Sequence, residues 1–401
     1  MKKFYLVLSI STLISLSSCH VIKTIKVLKK GEVAQKRFVE KISFESRVGL
    51  IVVKVNVNGH DYNFIFDSGA VNCVTKEVAK ELDLMPIIQQ KAEDSEGKTG
   101  GIEFAILEEI KMGRISFKNT SAAIIDLAAV PELACLKVDG LIGANLMRKL
   151  FWQLDYIKQT ITFSDHLDSL KVPANASIIP FSPELSGTPT IEIDINGMKS
   201  KGNIFDTGSS GAVSLSGPTF RKYLQAHPQT KYVRGFGSNS AGLYGAGTDT
   251  TYAAKLNLSM GTLQLKDQLV ESKRDKGNLG SDFFRDYVVT MDWAHNKIYF
   301  VAQEAPAILW ESFGFSTNKK DKQMYVSFLY ENSPAALAGI QRGDAIISIN
   351  GIRYDNMSGE DFCNTLVKTA PWKKERVIEI TFKNERGEIK TVKVERRPLL
   401  D

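Results

Sequence analysis

The sequence predicts a mainly β protein, with two tandem β-barrel lobes followed by a third, smaller β-rich module. Three observations carry that expectation. A strand-rich pattern occurs twice, over residues 53–67 and again over 191–206. Each copy closes on an aspartate in the same local frame, Phe64-Ile65-Phe66-Asp67-Ser68-Gly69-Ala70 and Asn203-Ile204-Phe205-Asp206-Thr207-Gly208-Ser209. Beyond about residue 305 the pattern changes and the repeat does not return. A chain of 401 residues is long enough for two or three domains.

The N-terminus reads as a targeting segment. Lys2 and Lys3 precede an apolar run from Phe4 to Leu16 and then small residues, the layout of a secretory signal. The run is shorter than the ~20 residues that span a bilayer. It ends in Leu16-Ser17-Ser18-Cys19, which resembles the bacterial lipobox, whose cysteine becomes the lipidated first residue of the mature protein. The expectation is a lipoprotein signal peptide over 1–18, export across the inner membrane, and a lipid anchor on Cys19 facing the periplasm or the cell exterior. Residues 19–43 then form a linker or pro-segment, with an added strand as the alternative. Of the remaining cysteines, Cys73, Cys135 and Cys363, at least one must be free within a monomer. A Cys73–Cys135 bridge and buried free thiols both remain open, and Cys363 falls on an expected helix as a core residue.

The first lobe is placed at 44–166 and the second at 174–303. Val53-Lys54-Val55-Asn56-Val57-Asn58-Gly59 and Ile191-Glu192-Ile193-Asp194-Ile195-Asn196-Gly197 alternate apolar and polar residues, as half-buried strands do. Each ends in Asn-Gly, a strong signal for a two-residue hairpin turn. The next strand leads into Asp67 or Asp206. A helix is expected after each aspartate loop, from Lys76 to Leu84 and from Thr219 to His227. Gly140-Leu141-Ile142-Gly143 ends 76 residues past Asp67, and Gly277-Asn278-Leu279-Gly280 ends 74 past Asp206. Asp155 and Asp292 each lie 12 residues beyond those segments and are expected to cap hairpin turns.

The two aspartate frames and the two later Gly-ending segments resemble those of retropepsin-like and pepsin-like aspartic proteases. The resemblance covers 44–303. It implies that Asp67 and Asp206 meet across a pseudo-twofold axis, share one proton and activate a water without metal or cofactor. Ser68 and Thr207 would then hydrogen-bond across the two loops, with Gly69, Gly208 and Ser209 as loop support. Ser209, opposite Ala70 in the first copy, is expected to donate to Asp206 and make it the more acidic member. Tyr244-Gly245-Ala246-Gly247 is similar to the family's flap, so Tyr244 and Gly245 are candidate flap residues, although the family carries that tyrosine in its first lobe. The first lobe here offers only Gly97-Lys98-Thr99-Gly100-Gly101.

Residues 305–400 contain Pro334-Ala335-Ala336-Leu337-Ala338-Gly339-Ile340-Gln341-Arg342-Gly343-Asp344, which resembles a PDZ domain. Ser312-Phe313-Gly314-Phe315 is similar to that family's carboxylate-binding loop, so Phe313, Gly314 and Phe315 are candidate contacts for a peptide C-terminus. A helix is expected over Gly359–Thr369, with strands over Val377–Phe382 and Lys390–Val394.

The function implied is a membrane-anchored aspartic endopeptidase acting as a monomer on peptide or protein substrates. The alternative is a non-catalytic peptide clamp on the same scaffold. Net charge is +6 with no concentrated basic module, so no nucleic-acid partner is expected. Five scattered histidines without a His-Glu-x-x-His helix argue against a zinc peptidase, and the absence of a Gly-x-Ser-x-Gly elbow argues against a serine hydrolase.

Overall fold

A computed structural model describes residues 23–93, 99–238, 241–242, 245–273, 276–303, 311–367 and 370–400. Cys19 with the expected signal peptide, Gly97 and Lys98 of the first Gly-rich stretch, and Tyr244 lie outside the described residues.

Two six-stranded rings with the same strand order form the lobes. In the first, Leu50–Val57 pairs with His60–Asp67, which runs parallel to Gly140–Gly143. The ring continues through Cys73–Thr75, Ile115–Ile125 and Thr99–Met112, and closes back on Leu50–Val57. In the second, Pro189–Ile195, Met198–Phe205, Asn278–Leu279, Val213–Ser216, Leu263–Lys273 and Asp249–Met260 close in the same sequence. Closure leaves no open edge within a ring. Both Asn-Gly turns have positive φ at both residues, 50° and 95° at Asn58-Gly59 and 50° and 91° at Asn196-Gly197. That geometry matches the right-handed twist of the flanking strands.

The lobes are joined by a six-stranded antiparallel sheet. Its strands run Val39–Ser43, Thr160–Ser164, Phe151–Asp155, Tyr287–Asp292, Lys297–Ala302 and Ser177–Pro183. Val39–Ser43 occupies in the first lobe the place of Ser177–Pro183 in the second. The repeat therefore begins inside the segment expected to be linker or pro-segment, and Glu32–Val33 adds a further pair to Ile115–Ile125. Asp155 and Asp292 cap their turns as expected, accepting from Lys158 N and His295 N at 2.9 Å.

One apolar cluster spans both lobes and the joining sheet. The fully buried phenylalanine before each aspartate is anchored there, Phe66 5.1 Å from Trp152 and Phe205 4.3 Å from Phe284 by ring centroids. Burying these rings fixes where the following loop emerges. The helices after the loops, Lys76–Glu81 and Gly217–Ala226, start at hydroxyl caps on Thr75 and Ser216.

The C-terminal module has strands Phe315–Lys320, Gln323–Tyr330, Ala345–Ile349, Val377–Lys383 and Ile389–Glu395, with helices Pro334–Leu337 and Gly359–Val367. It has its own core but is built onto both lobes. Gln323–Tyr330 extends the second lobe by pairing with Tyr232–Gly237, in register Gly235↔Tyr330 to Gly237↔Phe328. A Cβ at Gly235 would overlap the Phe328 ring, and one at Gly237 the Ser327 carbonyl, so both glycines serve this close approach. Tyr330 donates to Glu271 at 2.8 Å, and Arg342 lies 5.1 Å over the Phe236 ring. On the first lobe the attachment is covalent. Cys135 is bonded to Cys363, 228 residues away, and Cys73 is a buried free thiol. The within-lobe alternative Cys73–Cys135 is thus replaced by an interdomain bridge. Cys363, expected as a core residue, is instead a staple.

Candidate active site

Each aspartate leaves the end of a central barrel strand beside the Gly-ending segment of its own lobe. Gly143 lies opposite Asp67 in parallel register, and Asp206 N donates to Leu279 O at 2.9 Å. The loops repeat their backbone contacts. Ala144 N donates to Ala70 O and Ser281 N to Ser209 O, both at 2.8 Å.

Four reciprocal hydrogen bonds hold the loops against each other. Ser68 N donates to Thr207 Oγ1 at 2.9 Å, and Thr207 N to Ser68 Oγ at 3.0 Å. In turn Ser68 Oγ donates to Phe205 O at 2.7 Å, and Thr207 Oγ1 to Phe66 O at 2.8 Å. Both hydroxyl residues are fully buried. Valine at 207 would strand one buried donor and one buried acceptor, each costing about 1–3 kcal/mol. Thr207→Val is therefore expected to lower unfolding free energy by about 2–5 kcal/mol in denaturant titration. Serine at the same position should retain most of it.

The grip sets each carboxyl group against the loop of the opposite lobe, while each keeps partial solvent exposure. Gly69 N donates to Asp67 Oδ1 at 2.8 Å and Gly208 N to Asp206 Oδ1 at 2.9 Å. Each motif glycine faces the carboxylate of the opposite lobe. A Cβ on Gly69 would stand 2.6 Å from Asp206 Oδ1, and one on Gly208 would overlap Asp67. The residues expected around the dyad are thus brought together, with one difference. Ser209 Oγ accepts from Gly211 N at 3.5 Å rather than donating to Asp206.

The group that does reach Asp206 is Asn278, which donates through Nδ2 to Asp206 Oδ2 at 3.4 Å. Its amide is oriented by Ser214, whose hydroxyl donates to Asn278 Oδ1 at 2.8 Å and accepts from Asn278 N at 2.9 Å. The matching residue in the first lobe is Leu141, so only one member of the dyad has this donor. Asn278 was visible as the polar residue in a segment otherwise expected to be apolar up to its glycine.

This asymmetry sets the charge. Burial, then the charge of Asp206, pushes the Asp67 carboxyl well above its ordinary range. Burial also raises Asp206, but the Lys273 charge and the Asn278 hydrogen bond oppose the rise. The Asn278 donor favours negative charge on Asp206 over Asp67. A carboxyl with a raised folded-state pKa stabilises the fold most below its unfolded value, near 3.8, and that contribution fades as pH climbs through the folded value. Asp67→Asn is accordingly expected to raise the unfolding temperature at pH 7 relative to wild type. The gain should shrink at pH 3, as thermal scans at the two pH values would show.

Both lobes carry a hairpin between the aspartate loop and the Gly-ending segment. In the first, Ile88–Glu93 pairs with Thr99–Met112, a longer hairpin than the short Gly-rich stretch implies. In the second, Tyr232–Gly237 pairs with Asp249–Met260, and the short strands Ala241–Gly242 and Gly245–Ala246 pair beyond it. The outer edge of the second hairpin is taken by the C-terminal module.

In that module Phe313 is buried in the core, its ring 6.2 Å from Trp372, and Phe315 stacks on Trp372 at 5.6 Å. Gly314 has φ +88°, its N–H is held by Ser312 Oγ at 2.9 Å, and its carbonyl accepts from Tyr330 N. The two aromatic side chains thus support the loop from the core side.

Residues 53–146 match the aspartyl protease family, and residues 308–371 match the PDZ domain. The second lobe repeats the strand ring, aspartate loop and Gly-ending segment of the matched first lobe. No curated protein matches the sequence.

Proposed function

We propose that this chain is an aspartic endopeptidase that hydrolyses peptide bonds as a monomer. Asp206 acts as general base and Asp67 as general acid. The observation that carries the reading is that each carboxylate lies against the motif glycine of the other lobe, with the two loops held together by the Ser68–Thr207 grip. Like charges this close cannot both ionise, so the pair keeps one proton, the behaviour for which aspartic proteases are the standard example. A water between the carboxyls gives its proton to Asp206 and attacks the scissile carbonyl carbon. Asp67 protonates the carbonyl oxygen. Collapse of the tetrahedral intermediate passes a proton to the departing nitrogen and restores the shared proton. The first-lobe hairpin offers a strand edge, Ile88–Glu93, along which an extended substrate can lie.

The dyad's asymmetry can be tested separately. A donor to the ionised form lowers its pKa, so removing Asn278 raises it. Asn278→Leu, which installs the first-lobe residue, should move the acid limb of the pH profile of kcat/KM to higher pH. Ser209→Ala should leave that limb in place. An unmoved acid limb in Asn278→Leu would remove Asn278 from this role.

The protein is further assigned to a membrane surface, anchored through lipidated Cys19 after removal of residues 1–18 and facing periplasm or cell exterior. The charge, apolar run and cysteine order of the N-terminus support this. The Cys135–Cys363 bridge supports it too, since disulfides persist in oxidising compartments. Metabolic labelling with a fatty acid, lost in Cys19→Ser, is the direct check.

A further inference from the structure

PDZ domains take peptide ends by strand addition at a sheet edge, so the availability of that edge decides whether this one can bind. The relevant strand is Phe315–Lys320, which follows the Ser312–Phe315 loop and pairs along one side with Gln323–Tyr330. Beyond its other side lies the helix Gly359–Val367, brought close by Lys319 Nζ 5.9 Å over the Phe362 ring. Strand and helix are the two walls of the groove that an added peptide would enter.

The first lobe grips both walls. Its short helix Pro131–Ala134 places Glu132 and Cys135 three residues apart. Glu132 Oε1 accepts from Asn318 Nδ2 on the strand at 2.7 Å. Cys135 is bonded to Cys363 on the helix, with Cα atoms 4.9 Å apart. Cys135 is itself counted among the buried residues of the module's core, at 4% exposure. The contact therefore crosses from wall to wall rather than touching one side.

We propose that the groove of the PDZ module is occupied by the chain's own first lobe, and that a peptide C-terminus enters it only after the Cys135–Cys363 bond is reduced. The reductant required is a dithiol. Its two thiols supply two electrons and two protons, Cys135 and Cys363 become free thiols, and the dithiol becomes a disulfide. Attack is directed to the Cys363 side, because Cys363 is half-buried while Cys135 is covered. With the bond closed, the tether keeps the first-lobe segment at a local concentration that a free peptide cannot match. With it open, the Glu132–Asn318 hydrogen bond alone must compete, and such a bond contributes only about 1.5–3 kcal/mol. The second-lobe pairing through Gly235–Gly237 keeps the module attached in either state.

The test uses the full chain carrying Asp67→Asn, so that hydrolysis of the probe plays no part and the result is independent of the protease reading. The probe is a displayed library of random peptides with free C-terminal carboxylates. The oxidised chain should retain no peptide in a way that depends on its free C-terminal carboxylate, since any binding in the cleft between the lobes survives C-terminal amidation. The chain reduced with dithiothreitol, and the Cys135→Ser variant, should both select peptides whose affinity is at least tenfold weaker for the oxidised form and is lost on C-terminal amidation. Amides of 315–320 and 359–367 should exchange with deuterium at least tenfold faster on reduction, reversibly on reoxidation. If Cys135→Ser misfolds, reversible reduction of the parent chain supplies the same comparison without a substitution. Equal binding by oxidised and reduced chains overturns the proposal. So does failure of the folded, reduced chain to select any peptide.

Discussion

Asp206→Asn is expected to lower kcat for peptide cleavage by at least about 10³-fold, and Asp67→Asn by a similar factor. The substitutions are nearly isosteric, so the Gly208 N and Gly69 N hydrogen bonds keep an oxygen acceptor and the loops keep their shape. The chemistry changes instead. An amide at 206 takes no proton from water, and an amide at 67 gives none to the carbonyl oxygen. Because the two groups act as one unit, the double variant should be little worse than either single variant. KM should change much less than kcat, since neither carboxyl is needed to hold an extended peptide along the first-lobe hairpin. A residual activity above about a tenth of wild type in either variant would contradict the roles given to the pair.

The second large effect concerns the staple between the first lobe and the C-terminal module. Loop closure over 228 residues restricts the unfolded chain by about 5 kcal/mol in the chain-entropy picture. Cys363→Ser, or reduction of the wild type, should therefore lower unfolding free energy by about 3–5 kcal/mol in urea. The loss should come with release of the module from the first lobe and not with its unfolding. Its own core and its pairing with Tyr232–Gly237 remain. The serine variant should thus keep the near-UV signature of its buried tryptophan, Trp372. A change below 1 kcal/mol, or a free-thiol titration finding three reactive groups in the denatured unreduced mature chain, would contradict the bridge.

The two aspartate loops were legible because their signals are local. An apolar strand, a hydroxyl and a glycine must be consecutive to build the turn, and the duplication shows them twice. The Asn-Gly hairpins and the helices after each loop were readable for the same reason. What escaped the sequence is non-local or small. Val39–Ser43 is a short strand with charged residues, and only its partner Thr160–Ser164 makes it one. The Cys135–Cys363 pairing joins residues from two domains, and no spacing rule links them. The need for glycine at 235 and 237 comes from a strand that lies almost a hundred residues later. Asn278 stood in plain view, but its meaning depends on Ser214 turning its amide toward Asp206. Ser209 looked better placed for that task because it is adjacent in sequence, yet its hydroxyl turns back into its own loop.

The central claim is that Asp67 and Asp206 share one proton and together activate water against a peptide bond. The most direct measurement is incubation of the purified chain with a defined peptide mixture from pH 3 to 7, reading new termini by mass spectrometry beside Asp67→Asn and Asp206→Asn. The account predicts new termini with the wild type in at least part of that range and none with either variant. Cleavage that survives in a variant, or a wild type that cuts nothing at any pH, would contradict it.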